Sequence, residues 1–339
     1  MKVTFFQRKP YDFHFSIEKL FDTIIEHFSP EISHTTFTLP YYSIGVISRV
    51  KSGLVARKNQ GTINHITGDI HFITPFLSKE KTINTYHDFT FLKNSRGIKR
   101  ALLKYFWVTL PVKKSAMITV ISEVTRQKLV ELTHCPTEKI RVIPNIISAQ
   151  YTPHQKEFNT SKPIILHIGT TPNKNLNRLI TAIQNIPCRL HIIGKLTPEQ
   201  LTSLQRSQVE YENRYQLSDE ELKKEYINCD MVSFCSLNEG FGLPILEAQA
   251  TGRPVITSNI SSMPEVAGEG ACFVDPYNVS DIRRGIQKVI DDHAFRENLI
   301  TKGLENAKRF NPKVIAGMYE KLYEEITNLN LTASQTCQR

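Results

Sequence analysis

Short apolar runs alternate with stretches whose apolar residues return every three or four positions, and the alternation continues along most of the chain. In the first half, residues 3–7, 71–75, 83–86, 117–121 and 140–143 read as strands. Ile17, Leu20, Phe21, Ile24, Ile25 and Phe28 mark a helix after the first of them. A polar stretch with two prolines, 148–163, interrupts the pattern and reads as a linker. The pattern then restarts, with a near-continuous apolar strand at Ile164–Ile168, a helix carrying Leu176, Leu179, Ile180 and Ile183, and strands at 190–193, 231–234, 254–257 and 272–274. Such alternation predicts parallel sheets built from right-handed crossovers. The expected domains are 1–150, a linker at 151–163, a second α/β domain at 164–310 and a terminal helix at 311–329 with Ile315, Met318, Tyr319 and Leu322 on one side. Ligands of such folds sit outside the carboxyl ends of the strands.

A length of 339 residues suits two domains, and no apolar run is long enough to span a bilayer. The six cysteines are scattered with no Cys-x-x-Cys pair, against a zinc site or disulfide framework and in keeping with a reducing cytoplasm. The net charge of +9 is concentrated at one end: residues 1–160 hold 22 Lys and Arg against 12 Asp and Glu. Between Phe89 and Ser122 there is no acidic residue, while Arg96, Arg100 and Lys104 recur at helical spacing. Ile98, Leu102, Tyr105 and Phe106 form an apolar stripe beside them. Two readings remain for this helix: an anionic membrane surface, or a core-packing helix with a solvated basic back.

Residues 239–247 read Glu-Gly-Phe-Gly-Leu-Pro-Ile-Leu-Glu. Pro244 suits a first helical turn and Gly252 the position past its end, so a helix is expected over 244–251. Its free N–H groups favour a phosphate or sugar oxygen, and Glu239 and Glu247 face the same ligand from different heights. This stretch resembles the E-x7-E signature of retaining glycosyltransferases of family 4. The resemblance extends over 167–176, 252–259, 261–266 and 273–276, densely in the second half and thinly in the first. It implies an α/β architecture of the GT-B type, two Rossmann-like domains with parallel sheets facing across a deep cleft. In such proteins the first domain binds the acceptor, the second binds the nucleotide sugar, and the terminal helix often returns to the first domain.

The resemblance also implies an activity: transfer of a sugar, with retention, from a UDP- or GDP-sugar onto a polysaccharide or O-antigen precursor, with a lipid-diphosphate-linked acceptor favoured by the basic first half. The chain has no Asp-x-Asp, so no metal cofactor is expected and the diphosphate falls to cations and backbone dipoles. Lys174 leads, in the turn after Ile164–Ile168; Asn173 stands where the family usually has arginine, and Arg178 lies a turn further on. Gly169 allows close backbone approach. Lys195 is a lesser candidate. Glu247 is assigned to the ribose hydroxyls, Glu239 to the donor sugar, and Gly240, Phe241, Gly242 and Leu243 to backbone contacts. His87, in the Thr-Tyr-His-Asp-Phe run 85–89, is expected to bind a sugar hydroxyl near the nascent bond, while Asp88 caps the next turn or joins it. The loop 8–15 lacks the family's paired glycines, leaving Arg8 or Lys9 to supply charge. No nucleophile is expected, because the departing phosphate takes the acceptor proton. The expected location is the cytoplasm, peripheral to the inner face of the membrane if the basic helix touches it. Two other functions fit less well: a GT-B nucleotide-sugar epimerase, and a donor-binding scaffold without catalysis. No nucleic-acid partner is expected.

Overall fold

The protein is described here by a computed structural model covering residues 1–10, 16–93 and 95–336. It divides into two units, Met1–Ile146 with the chain from Pro312 onward, and Ile147–Asn311. Each has its own six-stranded sheet, as the alternation predicted. The loop without glycines, 8–15, lies outside the described residues beyond position 10.

The first sheet contains β1 (Lys2–Gln7), β2 (Ser33–Thr38), β3 (Ile63–Ile66), β4 (Thr82–Tyr86), β5 (Met117–Val120) and β6 (Ile140–Val142), in the order β2-β1-β3-β4-β5-β6. All adjacent pairs are parallel. Two strands were invisible to the hydrophobic pattern. β2 reads Ser-His-Thr-Thr-Phe-Thr and is an exposed edge. β3 carries Asn64 and His65, which are fully buried but partnered. His65 bridges Tyr323 Oη and Thr85 Oγ1 at 2.7 Å each. Conversely, the strand expected over 71–75 is a 3-10 helix, His71–Phe76. Pro75 brings no N–H to a ladder, and both edges of β4 are already taken by β3 and β5.

The helix Pro312–Thr336 packs Ile315, Tyr319, Leu322, Tyr323 and Ile326 into a core with Val3, Phe5, Phe21 and Ile63. Met318, expected on that face, is 40% exposed. Helical spacing centres the face on Tyr319 and Leu322, and Met318 falls at its edge.

The second sheet contains β7 (Ile164–Ile168), β8 (Arg189–Ile193), β9 (Glu210–Arg214), β10 (Met231–Phe234), β11 (Val255–Ser258) and β12 (Cys272–Val274). Its order is β12-β11-β10-β7-β8-β9, again parallel throughout. β9, Glu-Tyr-Glu-Asn-Arg, is a charged edge that periodicity could not reveal. The polar stretch before β7 has no regular structure, yet it is fastened to this unit. Asp230, whose side chain is 1% exposed, pairs with Lys156 and accepts the N–H of Asn159 at 3.1 Å and of Ile164 at 2.8 Å. Arg253 Nη1 donates to the His154 carbonyl at 2.9 Å. Among the described residues the cysteines are free and buried.

Each sheet reverses its strand order once, between β1 and β3 in the first and between β7 and β10 in the second. At such a reversal the crossovers diverge to opposite faces and leave a crevice at the carboxyl ends of the two strands.

Candidate active site

In the second unit the reversal brings together the segment after β7 and the segment after β10. β7 ends at Gly169, whose φ of 94° is open to glycine and costly for other residues. A Cβ there would stand 2.8 Å from Lys174 Cγ, so the glycine makes room for the lysine stem. A 3-10 turn, Pro172–Lys174, then delivers Lys174 to the strand end. Its Nζ lies 2.8 Å from Glu239 Oε1 and 4.6 Å from the centre of the Phe234 ring. Both charged side chains are largely shielded, at 20% and 14% exposure. Asn173 ties the loops together: its Nδ2 donates to the Asn238 carbonyl and to Glu239 Oε1, each at 3.2 Å, and its carbonyl accepts the Leu237 N–H at 2.8 Å.

The loop after β10 is braced from below. Ser261 Oγ accepts the Glu239 N–H at 3.2 Å and donates to the Glu239 carbonyl, while Ser262 Oγ donates to the Phe241 carbonyl at 2.6 Å. Ser261 holds a left-handed φ of 59° to do so. Gly242, with φ 119°, then opens the helix Leu243–Thr251, which has no side-chain cap, and Gly252 closes it at φ 76°. The first-turn N–H groups of this helix thus have no side-chain acceptor from a cap. Phe241 is buried, with its ring against Phe310 at 5.8 Å, which leaves only its backbone to face a ligand. Arg178 is held aside by Asn175 Oδ1 at 2.9 Å, over the Tyr277 ring, so it does not join Lys174. Lys195 is exposed.

Glu247 has partners that the sequence did not disclose. Tyr226 Oη donates to its Oε2 at 2.5 Å, and Tyr151 is also hydrogen-bonded to it. Tyr151 falls in the polar stretch read as a linker, so nothing in the sequence marked it. Burial pushes the Glu247 carboxyl up to about 7, the two phenol hydroxyls pull it back, and Asp219 adds a small upward push. The folded protein therefore holds this proton more tightly than the unfolded chain. The resulting stability is complete below the ordinary carboxyl range and is lost as pH rises through about 7. Chemical denaturation at pH 5 and pH 8 should show a decrease of roughly 2–3 kcal/mol from this group, absent in Glu247→Gln. A difference that persists unchanged in the variant would contradict the assignment.

In the first unit, the reversal between β1 and β3 holds a cavity of about 490 Å³ lined by Arg8, Asp69, His71, His87, Asp88 and Trp107 among others. His87 follows β4 directly and its Nε2 donates to the Thr67 carbonyl at 2.8 Å. Burial lowers its pKa, so the ring is neutral near pH 7. Asp88 Oδ1 accepts the Thr90 N–H at 2.8 Å and thus caps the following turn. Arg8 is not a spare charge, since Glu18 holds it at 2.7 Å and Asp69 at 2.5 Å.

The basic stripe of the first unit is shorter than its spacing suggests. Arg96 precedes the helix Gly97–Lys104, which carries Arg100 and Lys104 and has no buried residue. Ile98 is 81% exposed, and Leu102, Tyr105 and Phe106 are also exposed, so this apolar stripe is not spent on the core. Trp107 is the ring that turns inward, against Phe72 at 5.4 Å. Arg49 lies over its other side at 4.5 Å and links the helix Gly45–Lys58, whose Val46, Ile47 and Leu54 are exposed as well. No acidic residue occurs between Glu31 and Asp69.

Comparison with known proteins bears on the fold and on the second unit's sequence. Residues 150–306 match the family described as glycosyl transferases group 1. The chain is 29% identical over 255 residues to O-antigen chain mannosyltransferase B of Escherichia coli, covering 68% of this chain and 67% of that one. It is 28% identical over 265 residues to the serotype-specific mannosyltransferase WbdA of Escherichia coli, covering 71% of this chain but only 31% of that longer protein. Among solved structures, sucrose-phosphate synthase from Thermosynechococcus elongatus superposes with a TM-score of 0.75 at 18% identity, over 97% of this chain and 99% of that one. The protein is a glycosyltransferase of the GT-B fold. Glycosyltransferases of group 1 take a nucleotide-sugar donor and a glycan acceptor.

Proposed function

We propose that the protein transfers a sugar, with retention and without a metal ion, from a UDP- or GDP-sugar onto an O-antigen or related polysaccharide precursor. The Lys174–Glu239 pair beside the uncapped start of the Leu243–Thr251 helix is the observation that carries this reading. In it, the ammonium and the first-turn N–H groups neutralise the departing diphosphate, whose charge grows through the transition state. Glu239 accepts from hydroxyls of the donor sugar, and Glu247 accepts from the ribose diol. Neutral His87 offers its remaining ring nitrogen to an acceptor or donor hydroxyl. The leaving phosphate takes the acceptor proton, so no side chain acts as base. The relatives named above are mannosyltransferases, which makes nucleotide-activated mannose the first donor to test. The assay follows nucleoside diphosphate release and product anomeric configuration with EDTA present. Retained configuration and full activity in EDTA are expected. Inverted product, or activity restored only by a divalent cation, would overturn the reading.

The acceptor is proposed to be lipid-linked and reached from an anionic bilayer at the cytoplasmic face. Support comes from the basic residues and exposed apolar side chains that the Gly45–Lys58 and Gly97–Lys104 helices both carry. Vesicles containing phosphatidylglycerol should sediment the protein at low salt and release it near 1 M salt, where the Debye length is about 3 Å. Arg100→Glu with Lys104→Glu should weaken binding severalfold. Equal binding to uncharged vesicles would contradict the electrostatic part.

A further inference from the structure

The cavity of the first unit has an electrostatic character opposite to the unit's basic composition. One guanidinium, Arg8, pairs with Glu18 and Asp69, and a further carboxylate, Asp88, shares the lining. The two histidines of the lining carry no positive charge at neutral pH: burial takes His71 down to about 4 and lowers His87. Among the described residues the lining is thus net negative, in a unit rich in basic residues. The rest of the lining is apolar, with Ile17, Phe91, Leu103 and Trp107. Aromatic side chains and carboxylates lining one cavity suit a pyranose ring, whose C–H face packs on aromatic rings while its diols donate to acceptor oxygens.

Two further features lie at this cavity. The residue offering the exposed carboxylate, Asp69, is held at a left-handed φ of 56°, between Gly68 and a backbone contact in which Trp107 Nε1 donates to its carbonyl at 3.2 Å. In addition, His71 is 4% exposed and lines the same cavity. Its Nε2 donates to the Thr85 carbonyl at 2.9 Å, which leaves Nδ1 as a lone-pair acceptor with no partner among the described residues. A buried acceptor left unmade is unfavourable, and a hydroxyl donor from a ligand or water satisfies it.

We propose that this cavity is the subsite for the acceptor's terminal sugar and that Asp69 makes it selective for uncharged hexosides, excluding uronates and sugar phosphates. The inference rests on the glycosyltransferase reading above and adds the acceptor's chemical class and a specificity residue. Discrimination comes from repulsion: an acidic sugar must place its charge beside carboxylates that one guanidinium does not neutralise. Any pyrophosphate of a lipid carrier then lies outside the cavity, toward the basic helices.

Saturation-transfer NMR on the full chain tests this with methyl hexopyranosides, the matching methyl hexuronosides and hexose 6-phosphates as probes. The neutral glycosides should receive saturation, and the acidic ones at least about tenfold less. Asp69→Asn is the informative variant, because asparagine also tolerates a left-handed backbone. It should narrow the neutral-to-acidic preference by about tenfold, leaving UDP and GDP affinity and the melting temperature unchanged. Acidic glycosides binding as well as neutral ones, neutral glycosides failing to bind, or an unchanged preference in Asp69→Asn would overturn the proposal. Calorimetric binding of UDP or GDP separates the two levels. Donor binding without this acceptor preference sinks only the subsite, whereas loss of both sinks the glycosyltransferase reading too.

Discussion

Lys174→Ala should reduce turnover by about 10²–10³-fold, the loss typical when one preorganised charge partner of a transition-state oxyanion is removed. Two effects add. The ammonium is the cation that the Pro172–Lys174 turn sets against Glu239, so its loss leaves the leaving group to backbone dipoles. Its loss also unpairs Glu239, 2.8 Å away, and points an uncompensated carboxylate at an anionic substrate. The second effect is separable. Because the two side chains touch, Lys174→Ala and Glu239→Gln should not add: the double variant should be less impaired than the product of the single losses, with a coupling of about 0.5–3 kcal/mol. Steady-state rates at saturating donor measure this. A Lys174→Ala enzyme with unimpaired turnover would remove the residue from the reaction.

The largest stability effect is expected at Asp230. Its buried carboxylate holds Lys156 and the N–H groups of Asn159 and Ile164, fixing the start of β7 to the loop before β10. Asp230→Ala strands two N–H donors and a partly shielded ammonium. A loss of about 3 kcal/mol is expected, in the range found when one partner of a buried ionic network is deleted. Urea denaturation measures it. A loss below about 1 kcal/mol would mean that the segment before β7 is held by other contacts, such as Arg253 to His154.

The parallel α/β architecture was legible because strands buried on both faces leave nearly unbroken apolar runs, as at Ile164–Ile168 and Met231–Phe234. Edge strands β2 and β9 were not, since an exposed edge needs no apolar residues. β3 was hidden by Asn64 and His65, whose burial depends on partners distant in sequence. At the site, the Glu239–Glu247 stretch and Lys174 could be picked out because glycine and proline punctuate the turns around them. Their company could not. Tyr151, Tyr226, Ser261 and Asp69 gain meaning only through tertiary contact with Glu247, Glu239 or Arg8. Likewise the exposure of Ile98 and Phe106 is a property of the packing, and periodicity alone left it open.

The central claim is that a sugar-bearing diphosphate is gripped by an ammonium and backbone amides with no metal. Isothermal titration of UDP, GDP and their sugar conjugates into the purified protein in EDTA tests it most directly. Saturable binding of at least one, lost in Lys174→Ala and unaffected by added Mg²⁺ or Mn²⁺, is the predicted result. Absence of binding by every one of these nucleotides, or binding that appears only when the cation is added, would contradict it.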